Sequence, residues 1–174
     1  MGNAGVLNYL RFTLSIWYGV DFRHAFNKMK GVLKMVVTVY VNFNGNCREA
    51  VQFYAEVFNT EKPEIMTFAE MPPDPGFKVP EEAKELILHT SLNIHGSTVM
   101  FSDILPGNPL ISGNNISLTV MTASVEETDK LFNQLKEGGT VDMELQETFW
   151  SKRYGSLTDK FGIIWQIMVD DEQM

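Results

Sequence analysis

Two groups of side chains in this sequence have types and spacing that could do chemistry. His89 sits in a strand-like run beside Thr90 and Ser91, and Asp103 ends the next run. An imidazole whose unperturbed pKa is ~6.5, oriented by that carboxylate, would make a general base. The plainer reading is a histidine held in a strand ladder by a structural hydrogen bond. The second group is Gln146, Phe149, Trp150 and Tyr154, aromatic surface with a few polar tips, which is what ligand pockets use and also what cores and dimer contacts use. Lys152-Arg153 could meet an anionic group, although a solvated turn explains the pair. Cys47 follows Asn46 at a predicted helix start, where the helix dipole lowers a thiol pKa, against the alternative of a quiet structural thiol.

The elements that must position these residues come in two similar series. Val36 to Asn44 alternates Val37, Val39, Val41 and Phe43 with polar partners, as a strand does. Asn46 with Glu49 then reads as a capping box, followed by Ala50, Phe53, Tyr54, Val57 and Phe58 at helical spacing. The order recurs in a strand from Ile116 to Thr122, a capping box of Ser124 with Glu127, and a helical stripe of Thr128, Leu131, Phe132 and Leu135 closed by Gly138-Gly139. Asn46 and Ser124 stand 78 residues apart, and the same offset maps Phe53 onto Leu131 and Tyr54 onto Phe132.

Three strand-like runs follow each predicted helix: residues 64–70, 86–94 and 97–104, then 141–149, 153–158 and 163–169. The expected fold class is α+β, with two βαβββ modules, module one at 36–105 and module two at 113–170. Pro72-Pro73-Asp74-Pro75-Gly76 cannot sit in a central strand, so residues 71–84 are expected to be a loop in which Glu81-Glu82 opens a helical turn.

With 174 residues, 44% of them hydrophobic, the chain is long enough for one substantial core. The one cysteine excludes an intramolecular disulfide and, without a Cys/His cluster, the usual structural zinc; the expected location is cytoplasmic. A net charge of −8 argues against nucleic acid and against an anionic membrane surface, leaving small molecules or proteins as partners. Five cations against Asp21 make residues 1–34 carry +4, which puts −12 on the remainder.

Residues 1–34 are also foreign in composition. Their charges follow the apolar run, Arg11 interrupts it, and it is too short to span a bilayer, so neither a signal peptide nor a membrane helix fits. We expect a leader, possible to encode as an upstream extension because Lys30 to Met35 can be written with a ribosome-binding sequence ahead of an ATG. The domain proper would be 35–174. An N-terminal helix packing on the domain or on a partner is the competing reading.

Long motifs carry a resemblance. Asn42-Phe43-Asn44-Gly45-Asn46-Cys47, the Phe53-Tyr54-x-x-Val57-Phe58 helix, Gly113-Asn114-Asn115-Ile116-Ser117-Leu118, Gln146-Glu147-Thr148-Phe149-Trp150 and Thr158-Asp159-Lys160-Phe161-Gly162-Ile163 resemble the PhnB-like family. That family belongs to the vicinal oxygen chelate superfamily, with glyoxalases, extradiol dioxygenases and bleomycin-resistance proteins. The resemblance covers Val37 to about Val169.

The resemblance implies curved mixed sheets around a cavity, and a homodimer. In metal-using members, four ligands come from the first and last strands of the two cups. Counting back from the helix motifs places Val39 and Ser117 at the first-strand positions; the resemblance puts Gln166 where the final strand usually has a carboxylate, and in the first cup Val99 to Ser102 offers none before Asp103. Valine cannot bind a metal, and a neutral amide with a hydroxyl is a poor set for a hard cation. No cofactor is therefore expected in the usual metal site, with a weakly held divalent ion as the alternative.

Ser117 and Gln166 join Gln146, Phe149, Trp150 and Tyr154 as expected ligand-binding residues. Some relatives carry a demethylubiquinone-methyltransferase-like label, but no glycine-rich methyl-donor loop is present here to support that activity. The reading is a small-molecule binding protein. The alternatives are a superfamily enzyme of lyase, isomerase or oxygenase type using His89 and Asp103 or a weak metal, and a protein-interaction module with a vestigial cavity.

Overall fold

A computed structural model describes residues 37–170, so the expected leader, 1–34, lies outside the described residues. Each half is a βαβββ module. Module one runs β1 (Val39–Phe43), α1 (Cys47–Val57), β2 (Ile65–Thr67), β3 (Ile87–Ile94) and β4 (Ser97–Asp103). Module two runs β5 (Leu118–Thr122), α2 (Val125–Leu135), β6 (Thr140–Gln146), β7 (Tyr154–Thr158) and β8 (Ile164–Val169). The two four-stranded sheets have matching orders, β1-β4-β3-β2 and β5-β8-β7-β6. In each, the first and last strands pair in parallel and the rest are antiparallel, so the sheets are mixed and the fold is α+β.

Strand alternation gives every sheet an inward face and an open face. Inward residues of both sheets, including Phe43, Phe101, Leu157, Trp165 and Ile167, join Tyr54 and Val57 of α1 and Leu131, Phe132 and Leu135 of α2 in a single core. Tyr54 and Phe58 pack on Trp165, and Phe161, in the β7–β8 turn, packs on Phe43, Phe53 and Tyr54. The modules are thus held together through their inward faces and helices.

Two buried aspartates tie the elements together, and one of them replaces an expected local cap. Asn46 makes no side-chain cap bond; instead Asp103 Oδ1 accepts from the backbone N–H groups of Gly45 and Cys47, and its Oδ2 from Ile87. A carboxylate at the helix N-terminus does the work the capping box was expected to do, with the favourable sign for the helix dipole. At α2 the expected cap forms, Glu127 N donating to Ser124 Oγ at 3.2 Å. Asp159 is the second aspartate: Tyr54 Oη, Trp165 Nε1 and the N–H groups of Phe161 and Ile163 all donate to it.

Several boundaries differ from the sequence reading. β2 stops at Thr67 because Phe68–Glu70 turns into a short 3-10 helix, and Glu81–Ala83 forms another, at the predicted helical turn of the Pro-rich loop. β6 ends at Gln146, which leaves Phe149 and Trp150 outside it.

Candidate functional site

The module-two open face brings together most of the predicted ligand-binding residues. Thr119 stands opposite Gln166, and Gln166 opposite Ser156; in the next row, Met121 stands opposite Met168, and Met168 opposite Tyr154, which pairs in turn with Gln146. One row is therefore polar, and the other is apolar from Met121 through Met168 to the Tyr154 ring. Across them runs a bonded chain: Tyr154 Oη donates to Gln166 Oε1 at 3.0 Å, and Gln166 Nε2 donates to Ser117 Oγ at 2.6 Å.

The aromatic wall beside this chain is built by a turn. Thr148 N and Oγ1 donate to the Ser151 carbonyl, and Ser151 N donates back to Thr148 Oγ1. Ser151 is itself buried, its hydroxyl bonded to the carbonyls of Arg153 and Val169. Pinned this way, the turn projects its two aromatics outward: Phe149 is 95% exposed and Trp150 50%. Trp150 lies edge-on to Tyr154 at 5.6 Å and to Phe149 at 4.5 Å. Met121, 64% exposed, completes the apolar row. Sequence reasoning missed Met121 and Met168; their alternation with Thr119 and Gln166 was the available signal.

The predicted catalytic pair does not form. Asp103 faces the core, saturated by the three N–H groups of Gly45, Cys47 and Ile87, whereas His89 lies on the open face of β3, where its ring is 6.1 Å from that of Tyr40. The alternation of β3, with Leu88, Thr90 and Leu92 buried inward, turns His89 the other way. Burial pushes its pKa below the ordinary value. Around it on the same face, Ser102 Oγ donates to Asn42 Oδ1 at 3.1 Å. Cys47 is fully buried, and burial followed by the Asp103 charge pushes its thiol pKa up, so it is the quiet thiol and not a nucleophile. Arg153 turns away from the open face to pair with Asp129 of α2 at 2.7 Å.

The expected pairing of Val39 with Ser117 also needs correction. α1 and α2 are 11 residues each and start 78 apart, but β1 reaches α1 through Asn44-Gly45-Asn46 and β5 reaches α2 through Ala123-Ser124, one residue fewer. Val39, opposite Val99, and Leu118, opposite Trp165, are therefore the equivalents, both facing inward. Thr38 is the module-one counterpart of Ser117, and Met100, opposite Tyr40, that of Gln166, opposite Thr119.

This set is a poor metal site. Gln166 Oε1 and Ser117 Oγ, the oxygens that would face a cation, already accept bonds within the chain, and their counterparts are Thr38 and the buried thioether of Met100. Hard divalent ions want several converging carboxylate or imidazole ligands, so these residues do not fit one. No group of three or more His, Cys, Asp or Glu side chains able to hold a metal lies among the described residues.

Two βαβββ modules with open curved sheets define the glyoxalase and bleomycin-resistance fold of the vicinal oxygen chelate superfamily. Residues 35–168 match the family model described as 3-demethylubiquinone-9 3-methyltransferase. Protein YjdN of Escherichia coli K12 is 33% identical over 148 residues, 80% of this chain and 98% of that protein. The crystal structure of protein PA1353 from Pseudomonas aeruginosa is 33% identical, with a TM-score of 0.70 over 79% of this chain and 98% of that one. A putative 3-demethylubiquinone-9 3-methyltransferase, PhnB protein, from Bacillus cereus is 25% identical, with a TM-score of 0.62 over 78% and 100%. A glyoxylase/bleomycin resistance protein/dioxygenase domain from Frankia sp. EAN1pec shares the fold at 16% identity and a TM-score of 0.57, over 82% and 96%. The chain belongs to this PhnB-like family.

Proposed function

We propose that the protein binds a small molecule on the open face of module two, without a divalent metal at the positions that hold one in metal-using relatives, and that it works as a cytoplasmic homodimer. The observation that carries this reading is the bonded chain Tyr154–Gln166–Ser117 beside the Trp150 wall. It sets a few converging polar groups next to aromatic and thioether surface, the make-up of a ligand site. Among the described residues, no helix is long and apolar enough to cross a membrane.

Dimerisation draws support from the sheet edges. The outer strands β2 and β6 are blunted, one by its three-residue length and the other by Asp142 and Glu144, whereas β1 and β5 are outer strands that carry no charge. Uncharged edges are those left free to meet another chain. A partner there would also cover Tyr40 and Met121, both exposed in one chain.

Methyl transfer, the activity in the family's description, is not part of this reading. β1 and β5 enter their helices through three- and two-residue turns holding one glycine, Gly45, and lack a glycine-rich loop for a methyl donor.

Native mass spectrometry with elemental analysis on protein from its own host tests the proposal. The expected result is a retained organic molecule at one per chain, lost in Trp150→Ala, without stoichiometric metal. Stoichiometric metal that survives dialysis would overturn the metal-free reading and favour the enzyme alternative.

A further inference from the structure

Resting on the ligand site proposed for module two, we infer that this site selects its ligand by hydrogen-bond polarity: it takes a flat, largely apolar molecule whose polar end is an uncharged oxygen acceptor, such as a ketone or amide carbonyl, set against Ser117. The direction of the bonded chain carries this. A phenol has one hydrogen, and Tyr154 gives it to Gln166 Oε1. That turns the amide oxygen toward Tyr154 and the amide nitrogen toward Ser117, and Nε2 donates to Ser117 Oγ. A serine oxygen that accepts keeps its own hydrogen to give. The chain therefore runs one way, from Tyr154 through Gln166 to Ser117, and ends in a donor, with the second hydrogen of the Gln166 amide as another. Bonds in series polarise one another, which makes the terminal hydroxyl a better donor than an isolated serine.

The surroundings set the rest of the class. The row beside the chain, Met121, Met168 and Tyr154 with Trp150 against it, offers thioether and ring surface for a flat apolar body. The guanidinium of Arg153 is committed to Asp129 of α2 and is not offered to this face. Asp142, a carboxylate of the bordering strand β6, accepts from Thr158 Oγ1. In a chain of net charge −8, that disfavours an anionic head and leaves the neutral carbonyl.

Three bicyclic probes of nearly one size separate the possibilities: 1-indanone, an acceptor only; indole, a donor only; and indane, neither. Their dissociation constants would be measured by ligand-observed NMR titration on the full chain and on Ser117→Ala, Tyr154→Phe and Trp150→Ala. The expected result is 1-indanone binding about five-fold tighter than indole or indane, the size of one net hydrogen bond. Ser117→Ala should weaken that preference while leaving indane unchanged, and Tyr154→Phe, which frees the amide to turn, should weaken it too. A preference for indole would mean the chain runs the other way and would overturn the inference. So would a 1-indanone preference undiminished in Ser117→Ala. Equal binding of all three, lost in Trp150→Ala, would overturn the polarity and keep the ligand site; no binding of any probe would overturn both.

Discussion

His89 lies on β3, but Asp103 does not orient it. Its place among Thr90 and Ser91 marked it as a histidine on an internal strand, and that strand is where it lies. Its proposed partner failed because Asp103 has a different task, holding three backbone donors where the chain enters α1 and β3. What remains is a partly buried imidazole whose pKa is pushed down by burial. The sign follows from linkage. Above ~6.5, the unfolded value, both states are neutral at this residue and it adds no pH dependence. As pH falls below that, the unfolded chain takes up a proton that the folded chain resists, so stability drops until the folded pKa is passed. We therefore expect the difference in melting temperature between wild type and His89→Gln to shift against the wild type from pH 7.5 to pH 5. Comparing the two proteins cancels His95 and the carboxylates. Parallel melting curves across that range would show that His89 is solvated in the folded state.

At the scale of elements, the duplication was legible because it is written in helices. The stripes Phe53-Tyr54-Val57 and Leu131-Phe132-Leu135 bury as periodicity requires. Register was harder. The alternation Val37, Val39, Val41, Phe43 already put Val39 on the inward face, but counting from the helices overrode it, and the count is off by the one extra residue in Asn44-Gly45-Asn46. A one-residue slip exchanges the two faces of a strand, so turn length decided which residue faces the site. Ser117 was found because it stands in a long motif, Gln166 because the resemblance puts a ligand position there, and Tyr154 because it clusters with Phe149 and Trp150; their bonds to one another depend on three strands meeting and could not be read in advance. Nor could Tyr54 be separated from ordinary core. It is the α1 residue whose hydroxyl crosses to Asp159 of module two at 2.7 Å, with its pKa pushed up by burial and then by that carboxylate. Tyr54→Phe keeps the ring against Phe101 and Trp165 and removes only the donor. A hydrogen bond to a charged group contributes about 1.5–3 kcal/mol, so urea unfolding should show a loss of that size. A loss below about 0.5 kcal/mol would mean that Trp165 and the two backbone donors satisfy Asp159 without it.

The whole molecule is organised by what its single core uses up and what it leaves over. Both helices and both inward faces are consumed in joining module one to module two, so neither open face can be covered by the other within the core. Each open face carries a polar cluster, Ser102 with Asn42 beside Tyr40 and His89 in one module and the Ser117 chain in the other, and each lies next to an uncharged outer strand. A second copy meeting β1 and β5 along their edges would bring a module-one face against a module-two face and shield both from water. The consequence is that folding and assembly should be separable. Thr119→Lys places a charge on the open face of β5, away from the core, and should leave the melting transition of dilute protein nearly unchanged. Light scattering behind a sizing column should find wild type at twice the 19.7 kDa of one chain and Thr119→Lys at that single mass. A wild-type monomer at tens of micromolar would remove the dimer from the proposed function and leave the module-two face to bind its ligand alone. A Thr119→Lys dimer would place the interface somewhere other than the β5 edge.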